Sequence, residues 1–220
     1  MKFFGILTVF LPPTKLKNKI LNFFPNVKIE KDAYIGFSYI DVKNLILEKK
    51  ATIKHFVRIK GLEKALLKEN SYIGNHNSIY CNNMIGDKGH FELGVNSELV
   101  RKNALDLTSN ITIGNNVVVG GHSSQFWTHG FDINRNRLQG EIVINENVYI
   151  GSSTIFNLSV SICSNVIIGA GSVVTKSITE SGFYAGIPAE KKSDNYLFIE
   201  KESRKLLYKR GSSNFFEKKI

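Results

Sequence analysis

The sequence predicts an all-β fold, a parallel β-helix built of hexapeptide repeats. The first observation is a set of large apolar residues spaced six apart, at Ile144, Ile150, Phe156, Ile162, Ile168 and Val174. A single helix repeats near 3.6 residues and a single strand at two, so a period of six requires short strands with a corner after each one. The second observation is a glycine behind the apolar residue, as in Ile150-Gly151 and Ile168-Gly169, which relieves crowding at the corner.

The same period extends over most of the chain. Ile53 and Ile59 keep one register. The register shifts at an expected loop or irregular corner between Lys60 and Leu66, and the period resumes at Leu67. Three such strands make one coil of about eighteen residues, and each coil stacks on the last. We therefore expect a β-helix domain at residues 27–190, after an N-terminal capping segment at 1–26 and before a C-terminal segment at 191–220.

The two ends of the chain depart from the repeat. The apolar run from Phe3 to Leu11 is too short to span a bilayer and lacks a signal-peptide cleavage site. Lysines alternate with apolar residues at helical spacing from Thr14 to Phe24, which predicts a helix over the open end of the solenoid; a weak membrane-surface anchor is the alternative. Leu206, Leu207 and Tyr208 stand among basic residues, which predicts a short C-terminal helix followed by a loose end.

Composition narrows the function classes. The net charge is +10, which fits a lysine-rich surface, an anionic ligand or an anionic membrane. No aromatic-basic motif of the RNA-binding type is visible, so nucleic acid is not an expected partner. The two cysteines, Cys81 and Cys163, make no disulfide framework and favour a reducing cytoplasm.

The repeat is interrupted by an expected loop insert at residues 121–141. It holds three aromatic residues and two histidines, at His122, Phe126, Trp127, His129 and Phe131. Long loops inside compact folds are often functional. His129 is the candidate general base, because imidazole titrates near neutrality, and His122 is the reserve. Asp132 is a candidate to orient the imidazole or to hold the acceptor. His55, His76 and His90 lie elsewhere and are expected to face solvent.

The most specific motif is IGAGSVVTKSI at Ile168–Ile178, followed by AGIPAEKK at Ala185–Lys192. It resembles the coenzyme-A end of the left-handed β-helix hexapeptide-repeat acyltransferases, and the resemblance covers about Val27 to Lys191. The family implies a left-handed helix, a homotrimer, and a pantetheine arm in a groove between two subunits. By position, the residues that would line this groove are Ser152, Ala170, Thr175 and Lys176. Family members often carry Arg after the Pro-Ala pair, where this chain has Glu190; Lys191 is then the expected phosphate contact.

The string from Trp127 to Phe131 looks like the version of this loop in polysaccharide-modifying members. The resemblance implies transfer of an acetyl group from acetyl-CoA to a sugar hydroxyl of a bacterial surface polysaccharide or its precursor. His129 would be the base, and Trp127, Asp132 and His122 would contact the sugar. The expected location is the cytoplasm, with peripheral contact with the inner face of the membrane as the alternative.

Three other functions remain open from the sequence. One is N-acetylation of an amino sugar, and another is a non-catalytic scaffold whose insert binds a partner protein. The third is a zinc site of the γ-carbonic-anhydrase kind, whose family pattern calls for a histidine pair five apart. His122 and His129 are seven apart, so no metal is expected.

Overall fold

A computed structural model of the chain describes residues 2–82, 89–194, 205–210 and 213–217. Two helices come first, α1 (Lys2–Phe10) and α2 (Lys15–Leu21). The strands then follow in chain order: β1 (Val27–Ile29), β2 (Tyr34–Ile35), β3 (Tyr39–Leu47), β4 (Thr52–Ile53), β5 (Arg58–Leu67), β6 (Tyr72–Ile73), β7 (Ser78–Tyr80), β8 (His90–Leu93), β9 (Glu98–Arg101), β10 (Ala104–Asp106), β11 (Ile111–Ile113), β12 (Val118–His122), β13 (Gln125–Trp127), β14 (His129–Phe131), β15 (Arg137–Gln139), β16 (Ile142–Ile144), β17 (Tyr149–Ile150), β18 (Ile155–Phe156), β19 (Ser161–Ile162), β20 (Val166–Ile168), β21 (Val173–Val174), β22 (Gly182–Ala185), β23 (Glu190–Ser193), β24 (Lys205–Arg210) and β25 (Ser213–Glu217).

The predicted parallel β-helix is confirmed by the strand pairing. A first face contains β1, β8, β11, β16 and β19; a second contains β2, β4, β6, β9, β12, β17, β20 and β22; and a third contains β7, β10, β13, β18 and β21. The long strands β3 and β5 bend around a corner, so their first halves lie on the third face and their second halves on the first. The predicted irregular corner between Lys60 and Leu66 is therefore a continuous strand, which turns at Gly61 with φ +79°.

The core is a set of apolar columns that run along the solenoid axis. All six residues of the period-six set are at most 1% exposed, and burial of one large aliphatic side chain contributes about 1.5–3 kcal/mol. Ile144 pairs with Ile162, which is 18 residues later, whereas Leu47 pairs with Leu67, which is 20 residues later. The two additional residues shift the sequence register but keep the inward face, because side chains alternate with a period of two.

The three corners differ in the residues that turn them. At the first corner, between the first and second faces, Asn96, Asn116 and Asn147 have φ between 54° and 58°. Their amides form a ladder along the axis, with contacts of 3.2 and 3.3 Å. Asparagine tolerates left-handed backbone better than most residues. The second corner lies between the second and third faces, and the third corner between the third and first.

The predicted insert at 121–141 is too long. β12 and β13 continue the second and third faces, and Phe126 pairs in register with Leu105 and Phe156. Phe126 is fully buried and stacks on Phe156 with ring centroids 4.6 Å apart. The chain leaves the coil only after Trp127, and β14 and β15 form an antiparallel hairpin at the third corner. The glycines and polar residues at 120–124 turn the second corner, which is why the repeat seemed to stop there.

The N-terminal helices lie against the first coil. Thr14 caps α2, and the Lys17 side chain is 1% exposed. The Lys17 ammonium donates to the carbonyl of Thr8 in α1 at 2.7 Å and to the carbonyl of Gly36 in the solenoid at 2.8 Å. Lys17 thus joins both helices to the first coil. Within the described residues, no helix has the length and apolar character needed to span a membrane.

The predicted C-terminal helix is wrong wherever the structure describes the tail. β23 turns back antiparallel to β22, and β24 and β25 form a separate two-stranded antiparallel sheet. Leu206 to Tyr208, which we expected to be helical, lie in β24, and the remainder of that prediction, at residues 195–204, lies outside the described residues. Two short apolar runs that pair with each other, at 206–208 and 215–216, account for the strands.

The variants Phe126→Ala and Phe131→Ala should differ in stability, because Phe126 belongs to the solenoid core and Phe131 to the hairpin. Phe126→Ala removes a buried stacked ring and should reduce the free energy of unfolding by about 3–5 kcal/mol. Phe131 is 60% exposed, so Phe131→Ala should change it by less than about 0.5 kcal/mol. Urea unfolding followed by circular dichroism measures both. Equal effects would contradict the assignment of Phe126 to the solenoid core.

Lys17 should make the stability of the cap depend on pH. Burial lowers the pKa of Lys17 to about 8, so between about pH 8 and 10.5 the unfolded chain binds more protons than the folded chain. The free energy of unfolding, relative to a Lys17→Met variant, should therefore rise with pH across this window, by about 3 kcal/mol at most. Urea titrations of both proteins from pH 7 to 10.5 test this. A constant difference would show that Lys17 titrates normally.

Candidate active site

His129 and Asp106 meet at the third corner. Asp106 ends β10, and its strand neighbours in register are Tyr80 of the preceding coil and Trp127 of the next. His129 follows Trp127 by two residues and turns back over the corner. Its Nδ1 atom lies 2.8 Å from Oδ1 of Asp106. The Asp106 side chain is 1% exposed and that of His129 is 22% exposed, so the carboxylate is buried behind an imidazole that solvent can reach.

Two threonines hold the Asp106 segment in place. The Thr128 hydroxyl donates to the backbone carbonyl of Asp106 at 2.8 Å and accepts from the amide N–H of Ser109 at 2.9 Å. The Thr108 amide N–H donates to Asp106 Oδ1 at 3.3 Å, and the Thr108 hydroxyl lies 3.2 Å from His129 Nδ1. Asp106 Oδ2 is buried and has no hydrogen-bond partner among the described residues.

This geometry fixes the tautomer of His129. An ionised carboxylate can only accept hydrogen bonds, so the neutral imidazole carries its proton on Nδ1 and keeps a lone pair on Nε2. The Phe131 ring packs edge-on against the imidazole, with centroids 5.9 Å apart, and restricts its rotation. The pair therefore presents a positioned imidazole at the surface of the third corner.

Tyr80 lies on the other side of Asp106 from Trp127. Burial, and then the negative charge of Asp106, raise the pKa of the Tyr80 phenol. The phenol thus remains protonated near neutral pH.

The carboxylate that contacts the His129 imidazole is that of Asp106, whereas Asp132 hydrogen-bonds within its own turn. Asp132 Oδ1 accepts the amide N–H groups of Asn134 and Asn136 at 2.8 Å each, and Oδ2 accepts the side-chain amide of Asn136 at 2.8 Å. The hydrogen bonds from Asn136 lower the pKa of Asp132. Asp132 therefore closes the turn of the β14–β15 hairpin.

The other predicted acceptor contacts lie apart from each other. Trp127 is half-buried beside Asp106 and donates from Nε1 to Gln125 Oε1 at 3.1 Å. His122 is exposed at the second corner, at the opposite end of β13 from His129, with Nδ1 2.9 Å from the Ser123 hydroxyl. In the described parts of the chain, no three His, Cys, Asp or Glu side chains are grouped closely enough to hold a metal ion.

The five residues predicted to bind the coenzyme lie in three places. Ser152 and Ala170 stack at the second corner, where the Gly171 amide N–H donates to the Ser152 carbonyl at 2.8 Å. A Cβ on Gly171 would meet no atom within 4 Å, so this corner is open. Thr175 and Lys176 are exposed at the third corner, two coils beyond Trp127 and Thr128.

Lys191 lies apart from both corners, in β23. Its ammonium is 2.9 Å from a Glu180 carboxylate oxygen and 2.6 Å from an Asp194 carboxylate oxygen. These two hydrogen bonds raise the pKa of Lys191. Lys191 is thus paired within the chain, whereas Lys176 is exposed.

Comparisons with known proteins agree with this architecture. A family model described as the hexapeptide repeat of succinyl-transferase matches residues 141–176. The chain is 28% identical over 214 residues to the bifunctional protein GlmU of Thermodesulfovibrio yellowstonii, covering 92% of this chain and 45% of that protein. It is 37% identical over 83 residues to the galactoside O-acetyltransferase of Escherichia coli, covering 36% of this chain and 41% of that protein. The chain thus spans less than half the length of these relatives.

A solved structure shares the fold. A hexapeptide-repeat-containing acetyltransferase from Vibrio cholerae superposes with a TM-score of 0.50 at 23% identity, covering 58% of this chain and 72% of that one. This likeness supports the left-handed sense of the helix that the sequence resemblance implied. The chain thus resembles the hexapeptide-repeat acyltransferases in the repeat at residues 141–176 and in its left-handed β-helix fold.

Proposed function

We propose that this protein transfers an acetyl group from acetyl-CoA to a hydroxyl of a sugar in a bacterial surface polysaccharide or its precursor. The observation that carries the proposal is the buried Asp106 carboxylate 2.8 Å from His129 Nδ1. A structural histidine needs no dedicated buried carboxylate, whereas a general base gains a fixed tautomer and orientation from one. The similarity to an enzyme named galactoside O-acetyltransferase supports a sugar hydroxyl as the acceptor.

The reaction would proceed by direct transfer. His129 Nε2 accepts the proton of the acceptor hydroxyl while the hydroxyl oxygen attacks the thioester carbonyl. The carbon–sulfur bond then breaks, and the thiolate of coenzyme A takes the proton from the imidazolium. The products are an acetyl ester and the free thiol, and no acyl-enzyme forms. Asp106 stabilises the positive charge that His129 carries between the two proton transfers.

The donor site would lie in a groove between two subunits of a homotrimer. The second corner offers small residues at Ser152, Ala170 and Gly171, which leave room for a thin pantetheine arm. The third corner offers Thr175 and Lys176 on the C-terminal side of His129. The ammonium of Lys176 is the phosphate contact that we favour, because Lys191 is already paired with two carboxylates. The second corner of one subunit and the third corner of the next would together form the site.

We place the reaction in the cytoplasm, where acetyl-CoA is made. Contact with the inner face of the membrane would involve the N-terminal helices, where Ile6, Phe10 and Leu16 are exposed.

His129→Ala should nearly abolish acetyl transfer. Loss of a general base typically costs about 10²–10⁴-fold in rate. Thiol release from acetyl-CoA, measured with a panel of hydroxyl-only sugars and amino sugars, gives the rate and distinguishes O- from N-acetylation. Binding of coenzyme A, measured by calorimetry, should stay unchanged. His90→Ala, at another exposed histidine, is the control. A rate for His129→Ala within a few-fold of wild type would rule out His129 as the general base. Absence of coenzyme-A binding in wild type would favour a non-catalytic scaffold.

Asp106→Asn should reverse the tautomer of His129. The asparagine amide can donate to Nδ1, so the imidazole proton moves to Nε2 and the lone pair no longer faces the acceptor. Nitrogen NMR of the histidine side chains should show an Nδ1–H tautomer in wild type and its loss in the variant. The rate should fall by about 10²–10⁴-fold with coenzyme-A binding retained. Asp32→Asn, in a salt bridge of the cap, is the control. An unchanged tautomer would contradict a positioning role for Asp106.

A further inference from the structure

The second corner carries no carboxylate along its whole length. Its seven segments are residues 36–40, 54–58, 74–78, 100–104, 120–124, 151–155 and 169–173, and none contains Asp or Glu. We call this corner the carboxylate-free edge. The first corner, in contrast, carries Asp32, Glu48, Glu69 and Glu146 among its turning residues. A continuous edge without negative charge on a protein of net charge +10 favours an anionic ligand.

The carboxylate-free edge has two chemically different halves. Toward the C-terminus its side chains are small, at Ser152, Ser153 and Ala170. Toward the N-terminus it carries Arg101 and Lys102, both exposed and with no ion pair to any residue that the structure describes. Arg101 pairs in register with His122 of the next coil. The cations thus lie two coils before Ser152 and Ser153, with the segment 120–124 between them.

An aromatic stack continues the edge beyond the cations. Phe56 is 66% exposed and stacks on the exposed His76, with ring centroids 5.2 Å apart and 16° between planes. Phe37, 41% exposed, lies 5.7 Å from the His55 ring. Phe56 also has φ +58°, a left-handed conformation that costs about 1–2 kcal/mol for a residue with a Cβ.

The equivalent position holds His76 and Lys102 in the next two coils and small residues in the coils after them. Ser123, Ser153 and Gly171 have positive φ at the same corner, and serine or glycine is easier to accommodate there than phenylalanine. The chain therefore keeps an exposed aromatic ring at a position where local preferences favour a small residue. Departures of this kind concentrate at binding sites.

The position of the edge along the axis suggests which substrate uses each half. His122 belongs to the same coil as His129, so it marks the height of the proposed reaction centre. The proposed donor arm occupies the small residues on the C-terminal side, which leaves the N-terminal half for the acceptor. From Arg101 to Phe37 is three coils, about 14 Å at one strand spacing per coil. This length exceeds one sugar ring.

We infer that the acceptor is an acidic oligosaccharide that lies along the N-terminal half of the carboxylate-free edge. Its carboxylates bind Arg101 and Lys102, and arginine suits a carboxylate because its planar guanidinium donates two parallel hydrogen bonds. An apolar face of a sugar ring packs on Phe56 and His76. The inference rests on the proposed function, because only acetyl transfer makes the oligosaccharide an acceptor. It adds the charge and the length of that substrate.

The test uses variants in which a residue is replaced by the residue type found at the same corner in other coils. Arg101→Ser with Lys102→Ser introduces the residue type found at Ser152 and Ser153, so the backbone is compatible. Lys49→Ser with Lys50→Ser is the matched control, because Lys50 is exposed at the first corner with φ +59°. Phe56→Ser tests the aromatic stack. The probes are oligomers of galacturonic acid, N-acetylneuraminic acid and hyaluronan, each with its methyl ester, and binding is measured by calorimetry with coenzyme A present.

Wild type and the control should bind at least one acidic oligomer about tenfold more tightly than its neutral ester, since a charged hydrogen bond contributes about 1.5–3 kcal/mol. The Arg101/Lys102 variant should lose this preference. Phe56→Ser should weaken the binding of acid and ester alike. The inference is overturned if no acidic oligomer binds better than its ester, or if both double variants lose binding equally.

Two further measurements exclude other occupants of the edge. A single-stranded oligonucleotide that binds as tightly as the best oligosaccharide would identify a general polyanion surface and overturn the inference. A change of oligomeric state in the Arg101/Lys102 or Phe56 variants, measured by light scattering, would identify a subunit contact. This result would also overturn the inference. If wild type binds coenzyme A but does not prefer acidic oligomers to their esters, the inference alone is contradicted. If wild type does not bind coenzyme A, the proposed function is contradicted.

Discussion

Parallel stacking of the coils is the constraint on which the rest of the structure depends. Every strand of the three faces pairs with its counterpart one coil away, and a slip of one residue would turn the core outward. Coils of 18, 20 and 31 residues all satisfy this condition, as the pairs Ile144–Ile162, Leu47–Leu67 and Ile111–Ile142 show. Additional residues can therefore be accommodated only at corners. The β14–β15 hairpin and His129 occur at a corner for this reason.

Stacking also creates the candidate site. Asp106 and His129 are 23 residues apart, and they meet because Asp106 is the register neighbour of Trp127, two residues before His129. Burying a carboxylate is unfavourable unless hydrogen bonds compensate it. His129 and the Thr108 amide supply that compensation on Oδ1, while Oδ2 has none among the described residues. Removal of His129 would thus leave a buried charge with still fewer donors, so the two residues stabilise each other.

Features of the structure that repeat with a fixed period could be predicted from the sequence. Features that depend on the length of an individual coil could not. The apolar columns and the asparagine corners are periodic, so the β-helix could be predicted from them. Asp106 could not, because it lies in the segment 100–110, whose polar residues obscure the buried apolar residues Leu105 and Leu107. Asp132 was considered instead because it is close to His129 in sequence. In a solenoid the spatial neighbours of a residue are one coil away, so closeness in sequence indicates local turns rather than active-site partners.

The separation of the two functional corners bears on oligomeric state. His129 and the segment 120–124 of the carboxylate-free edge belong to the same coil, with the three residues of β13 between them. A strand rises about 3.3 Å per residue, so this flat face holds the two corners roughly 10 Å apart, facing different directions. A donor that lies only along the second corner of one chain is therefore not in contact with His129 of the same chain. A second chain whose third corner faces that edge removes the difficulty, and a closed ring with one such contact per subunit gives each chain one complete site. Given a donor at the second corner, the geometry of a single coil thus supports a closed ring of subunits such as the proposed homotrimer.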